Sequence, residues 1–119
     1  MGTWQAGPFG NDAALDFVGS VIDHLMSAVD EFMAAPEIDE TFDAAFAAIA
    51  LLNGVMAHTP SRPWADGAAV DGGPIRTAML ACFDEQIDGM APAADFKQDQ
   101  RAALVATLDT FVDFLTPAG

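Results

Sequence analysis

The sequence predicts an all-α, four-helix bundle-like single domain with an irregular N-terminal arm. Four segments carry apolar side chains at the spacing of a helix that buries one face. Pro and Gly residues separate these segments, and none shows the alternation of apolar and polar residues that is typical of a strand. The length of 119 residues suits one domain that covers the whole chain.

The N-terminal arm, residues 1–10, is punctuated by Gly and Pro. We expect it to be ordered, because the large aromatic side chains of Trp4 and Phe9 favour burial. Phe9 should fold onto the first turn of the following helix, where polar side chains accept hydrogen bonds from the exposed backbone N–H groups. The predicted structural motif consists of Trp4, Pro8, Phe9, Asn11 and Asp12.

The first predicted helix covers about residues 11–33 and the second about residues 39–57. Beyond its acidic first turn, the second helix is apolar all round, which predicts that it is the central and wholly buried helix. Its polar residue Asn53 then needs a partner, which we expect in the arm or in the connection that follows. His58 is expected to cap the end of this helix.

Residues 58–73 contain several Pro and Gly residues and predict a long connection. Trp64 is expected to pack against the domain and to hold this connection in place. The connection leaves room for a short helix over residues 64–70. His58, Asp66 and Asp71 are the titratable side chains that could converge here.

The third predicted helix covers about residues 74–88 and places Cys82 on its buried face. The fourth covers about residues 95–115. It opens with Asp95 and, three residues later, Gln98, a spacing that predicts a capping box.

The opening of the chain carries Gly2, Trp4, Gly7-Pro8-Phe9, Asn11-Asp12, Ala14 and Asp16-Phe17. Over residues 1–17 it resembles the start of the domain-of-unknown-function 4259 family of small bacterial proteins. The Ala-rich stretch 46–57 is similar to the second helix of that family. The resemblance implies an all-α bacterial domain. It brings no established activity, so no functional residue is carried over.

The charge balance excludes two classes of partner. The chain has 18 Asp and Glu against 4 Lys and Arg, a formal charge of −14. A nucleic-acid-binding protein typically neutralises about 6–10 phosphates with basic side chains, so we expect neither a nucleic acid nor an anionic membrane as partner. The single cysteine allows no internal disulfide, and no basic, apolar leader precedes the domain, so a cytoplasmic location is expected.

The motif Asp-x-x-x-Asp occurs five times, and two of these pairs lie where the helix dipole repels anions. Asp84 and Asp88, with Glu85 between them, end the third helix, and Asp109 and Asp113 lie in the second half of the fourth. Because local electrostatics disfavours both pairs, we predict that these five residues contact a basic protein partner. A solvated acidic face and a weak divalent-cation site are the alternatives.

No catalytic residue, metal site or cofactor is predicted. The Glu-x-x-His pairs of di-iron bundles do not occur in the sequence. Asp16, Ser20 and His24 follow one another on a helix, but a triad needs the histidine between the nucleophile and the acid.

Taken together, these features predict a non-enzymatic, acidic protein-interaction domain that binds a basic protein in the manner of an immunity protein or an adaptor. The alternative is a small metal-dependent or other enzyme or ligand-binding protein, with its site between the arm, Asn53 and the connection 58–73. A homo-oligomer whose helical faces pack together is a third hypothesis.

Overall fold

The computed structural model describes residues 7–65 and 67–116. It confirms the all-α prediction. The elements are α1 (Asp12–Ala34), α2 (Glu40–His58), β1 (Trp64–Ala65), β2 (Ala68–Ala69), α3 (Gly72–Gln86), a 3₁₀ helix (Ile87–Met90) and α4 (Ala94–Leu115). Helix α1 packs on α2, α2 on α4 and α4 on α3, so the molecule is elongated, with dimensions of 55 × 30 × 28 Å.

One continuous apolar core joins the four helices. Its centre is aromatic: the rings of Phe32 in α1 and Phe42 in α2 meet edge to face at 5.7 Å, and Phe83 of α3 lies 6.4 Å from Phe42. All three side chains are fully buried. The core therefore ties the α1–α2 pair to α3 at the end of the molecule where α2 begins.

The start of α1 confirms the predicted cap. The Asn11 side-chain oxygen accepts a hydrogen bond of 2.8 Å from the backbone N–H of Ala14, and Asp12 is the first helical residue. Phe9 is 37% exposed and lines a groove together with Phe17 and Val18 of α1, so it is buried only in part. Trp4 lies outside the described residues.

The prediction that α2 is wholly buried is wrong. Phe42, Ile49 and Leu52 are buried, but Leu51 is 59% exposed. Neighbouring helices cover only one side of α2, and alanines dominate the other. Because alanine is the best helix former and exposes little apolar area, an all-round apolar run reflects helix propensity here rather than burial. The exposed small residues of α2 are Ala44, Ala47, Ala50, Gly54 and Ala57.

Helix α2 is also long and apolar enough to cross a membrane. Core helices of soluble proteins meet the same criterion, so this property does not select a membrane.

The connection after α2 holds a minimal antiparallel hairpin, β1–β2, instead of a short helix over residues 64–70. Gly67 in its turn has a φ of +79°, a left-handed conformation that suits glycine and is incompatible with a helix. Trp64 is 67% exposed, whereas Pro63 is fully buried, so Pro63 rather than Trp64 packs this connection onto the domain. Asp66 lies outside the described residues.

Helix α3 begins two residues earlier than predicted, at Gly72, because the Asp71 carboxylate caps it by accepting a 3.0 Å hydrogen bond from the N–H of Gly73. Gly72 is also a point of close approach. A Cβ there would lie 3.3 Å from the Cα of Val112, an unusually tight contact, so glycine favours this close approach of α3 to α4. The predicted inward face of α3, Cys82 included, is buried.

The capping box predicted for the last helix is wrong. Helix α4 begins at Ala94, and its N-cap residue Ala93 makes no side-chain capping hydrogen bond. Asp95 therefore lies inside the first turn, where its charge still interacts favourably with the helix dipole. Just before α4, Ala91 has a φ of +51°, a left-handed conformation that is uncommon for a residue with a Cβ.

Candidate functional site

Three of the four basic side chains form ion pairs that join α3 and the 3₁₀ helix to α4. Their acidic partners belong to the group predicted to bind a protein. The pairs are Arg101 with Asp84 (2.8 Å), Lys97 with Asp88 (2.6 Å) and Arg76 with Asp109 (2.7 Å). Each pair places a cation beside a carboxylate that the helix dipole alone would repel.

These contacts divide the predicted partner-binding group into two sets. Asp84, Asp88 and Asp109 have a role inside the chain, because each is the acidic partner of one ion pair. The hydrogen bond from Arg101 lowers the pKa of Asp84. Glu85 and Asp113 are exposed and form no ion pair within the part of the chain that the structure describes. Partner binding by this group stays a prediction.

Arg62, the fourth basic residue, was not predicted to have a role. Its Nη1 donates hydrogen bonds to backbone carbonyls of Met56 (3.3 Å), Thr59 (3.2 Å) and Ser61 (2.8 Å). Its guanidinium carbon lies 5.5 Å from the centre of the Phe114 ring of α4. Arg62 therefore caps the end of α2, in place of His58. This role could have been inferred from the sequence, because Arg62 is a cation four residues beyond the end of α2.

Asn53 was predicted to find its hydrogen-bond partner in the arm or in the connection, but among the described residues its partner lies in α4. Its Nδ2 donates a 3.0 Å hydrogen bond to the backbone carbonyl of Thr107, so it fastens α2 to α4. Its Oδ1 is buried and has no hydrogen-bond partner among the described residues. Of the side chains predicted to converge nearby, His58 is exposed at the end of α2 and Asp71 caps α3.

Two of the clefts in the described surface are considered for ligand binding. The first is the apolar groove, which lies between α1 and α2 and has a volume of about 530 Å³. It is lined mainly by Phe9, Phe17, Val21, Leu51 and His58. Among the described residues of this lining, His58 is the one with a titratable side chain. Within residues 7–65 and 67–116, no three His, Cys, Asp or Glu side chains come together in a way that could hold a metal ion.

The second is the acidic cleft, about 790 Å³ in volume, between the start of α2 and the segment that links the 3₁₀ helix to α4. One wall carries three carboxylates, those of Asp39, Glu40 and Asp43. The opposite wall presents Met90 and Phe96, which are 63% and 56% exposed. The sequence showed these acidic residues only as a favourable first turn of a helix, because the opposite wall lies some fifty residues further along the chain.

The three carboxylates of the acidic cleft have different structural roles. Asp39 caps α2, accepting hydrogen bonds from the Thr41 hydroxyl at 2.6 Å and from the Thr41 backbone N–H at 2.8 Å. These bonds lower the pKa of Asp39. Glu40 and Asp43 are exposed and make no ion pair with any described residue. They are therefore the groups available to a ligand.

Gln86 positions the acidic wall. Its Oε1 accepts a 2.9 Å hydrogen bond from the backbone N–H of Ile38, and its Nε2 donates to the carbonyl of Pro36 at 3.5 Å. The end of α3 thus holds the connection that leads into α2. On the opposite side, the Gln100 Oε1 is buried without a partner among the described residues.

Cys82 is buried in the core, as predicted. Burial raises the pKa of its thiol, and the negative charge of Glu85 adds to this shift. Both effects favour the neutral thiol over the reactive thiolate, so the geometry supports a packing role.

Together, the fold and these surfaces define a small, strongly anionic, all-α domain whose basic side chains are engaged within the chain. The chain belongs to the family named Domain of unknown function (DUF4259), whose family model matches residues 2–115. This match confirms the resemblance carried by the first 17 residues and extends it over almost the whole chain. No curated protein and no solved structure matches the chain significantly.

Proposed function

We propose that this chain is a non-enzymatic protein-interaction domain that binds a basic protein partner, as an immunity protein or an adaptor does. One observation carries the proposal: all four basic side chains are engaged inside the chain. Three are in ion pairs that join α3 or the 3₁₀ helix to α4, and Arg62 binds backbone carbonyls. None is left to balance the acidic residues of α1 and of the first turn of α2.

Those acidic residues give the surface of α1 and of the start of α2 a negative charge. In α1 they lie on the face turned away from the core, and all are exposed: Asp12, Asp16, Asp23, Asp30 and Glu31. A basic protein would supply the counter-charge that this chain lacks and would be attracted over long range at low salt. We place this interaction in the bacterial cytoplasm, as the cysteine content suggests.

A pull-down experiment tests the proposal. The purified domain is immobilised and mixed, one at a time, with the basic proteins encoded by neighbouring genes, using acidic neighbours as matched controls. We expect a basic protein to be retained at about 0.05 M salt and released as salt approaches about 0.5 M, where charges are strongly screened. Failure to retain any basic neighbour at low salt would overturn the proposal.

Gel filtration at two protein concentrations tests the third hypothesis, the homo-oligomer. Self-repulsion at a formal charge of −14 favours a monomer at low salt. An oligomer that persists at low salt would show that apolar packing outweighs this repulsion.

A further inference from the structure

We propose that the acidic cleft is the docking site for a partner segment in which Lys or Arg stands next to apolar side chains. This inference rests on the proposed function and names the surface that carries it. The structural basis is the juxtaposition, in one cleft, of two carboxylates without ion pairs and two large exposed apolar side chains.

The apolar wall of the cleft would contact the apolar side chains of the partner segment. Met90 and Phe96 are among the most exposed large apolar residues described, and both line the same cleft. A partner that covers them removes apolar surface from water, which is the main favourable term in protein association. The flexible methionine lets the wall adapt to side chains of different shape.

The acidic wall determines the sign of the charge that a partner segment must carry. Glu40 and Asp43 lie three residues apart on one face of α2, and Asp39 is already committed to capping the helix. The nearest cation along α4, Lys97, is held by Asp88. A cation from outside is therefore the complementary group, whereas an anionic or purely apolar ligand would leave the carboxylates facing it without compensation.

The apolar groove between α1 and α2 lacks this selectivity. It also exposes large apolar residues, Phe17 at 69% and Leu51 at 59%, but no carboxylate is among the described residues that line it. Phe17 of this groove and the exposed residues Asp16 and Asp23 of α1 therefore serve as control positions outside the acidic cleft.

The probe is a short synthetic peptide whose Lys and Leu residues are arranged so that a helix has one basic and one apolar face. A scrambled peptide of the same composition is the reference. Binding is measured by isothermal titration calorimetry at about 0.05 M salt, and the contact surface by amide shifts in NMR spectra of the full chain. We expect the amphipathic peptide to bind more tightly and to shift residues of the acidic cleft.

Two matched pairs of variants test which side chains contribute to the binding free energy of the peptide. The double variant Glu40→Gln/Asp43→Asn should weaken peptide binding about tenfold, whereas Asp16→Asn/Asp23→Asn, which removes the same charge from α1, should weaken it less than about threefold. Phe96→Ala should weaken binding several-fold and Phe17→Ala should not. All six side chains are exposed, so the variants are expected to fold, which thermal melting verifies.

The outcomes separate the inference from the proposed function. Equal weakening by both charge variants, or equal binding of the scrambled peptide, would mean that attraction is spread over the surface; the inference then fails while the proposed function stands. Amide shifts confined to the α1–α2 groove would overturn the inference in favour of that site. Retention of a basic neighbour in the pull-down, combined with no peptide binding, would likewise overturn the inference alone.

Discussion

Arg101 of α4 holds Asp84 of α3 through two parallel hydrogen bonds, from Nε to Oδ1 and from Nη2 to Oδ2, each 2.8 Å long. This two-pronged geometry is the strongest form of a carboxylate ion pair. Both side chains are nearly half exposed, at 45% and 48%, so water and salt weaken the interaction. The pair therefore sets how α3 lies against α4 more than it stabilises the fold.

Removing the charge of either Asp84 or Arg101 should lower the stability by the same small amount. We expect Asp84→Asn, Arg101→Gln and the double variant each to lower Tm by about 1–3 °C, because all three remove one shared interaction. Thermal melting followed by circular dichroism measures the three values. Additive losses in the double variant would show that the two side chains act independently.

Acid should remove the contribution of Asp84. Its pKa in the folded chain lies below the ordinary value of 3.8, so the pair stabilises the fold above that pH, and the stabilisation is lost as the pH falls through the folded-state pKa. The stability difference between the wild type and Asp84→Asn should therefore shrink between pH 7 and pH 3. Urea unfolding at both pH values measures it, and a difference that widens in acid would contradict the assignment.

Salt should stabilise the whole domain. With a formal charge of −14 and every basic side chain already engaged, the folded chain repels itself, and added salt screens this repulsion. We expect Tm to rise steadily between about 0.05 M and about 0.3 M sodium chloride. A Tm that falls over this range would mean that the ion pairs outweigh the repulsion.

A methyl group at Gly72 should destabilise the packing of α3 on α4. The added methyl group of Gly72→Ala would press on Val112 of α4, and we expect a loss of about 1–3 kcal/mol. Gly19→Ala in the middle of α1 is the matched control, because no atom lies within 4 Å of the new Cβ. That variant should gain about 0.5–1 kcal/mol through helix propensity. Chemical denaturation compares the two variants.

Adjacent leucines in α2 should respond in opposite ways. Leu52 is fully buried, and Leu52→Ala should cost about 2–5 kcal/mol of folding free energy. Leu51 is 59% exposed, and Leu51→Gln should change stability by less than about 0.5 kcal/mol. Urea unfolding of both variants tests whether α2 has an open face. A large loss for Leu51→Gln would show that this face is covered in solution.

Local interactions determined what the sequence alone could predict. The Asn11 cap involves residues three apart, and the buried stripe of α3 follows from helical spacing, so both were visible in the sequence. Helix boundaries were correct to within about two residues for the same reason. The prediction of a capping box at Asp95 was wrong because an acidic residue is favourable both at the N-cap and in the first turn of a helix.

Only the tertiary structure decided which surfaces are covered and which charges are satisfied. Arg76 and Asp109 are 33 residues apart, and Asn53 reaches a carbonyl 54 residues away, distances over which sequence spacing carries no information. The open face of α2 and the acidic cleft arise from the order in which the helices pack. An apolar run records how readily a helix forms, whereas burial depends on the neighbours that the fold brings to it.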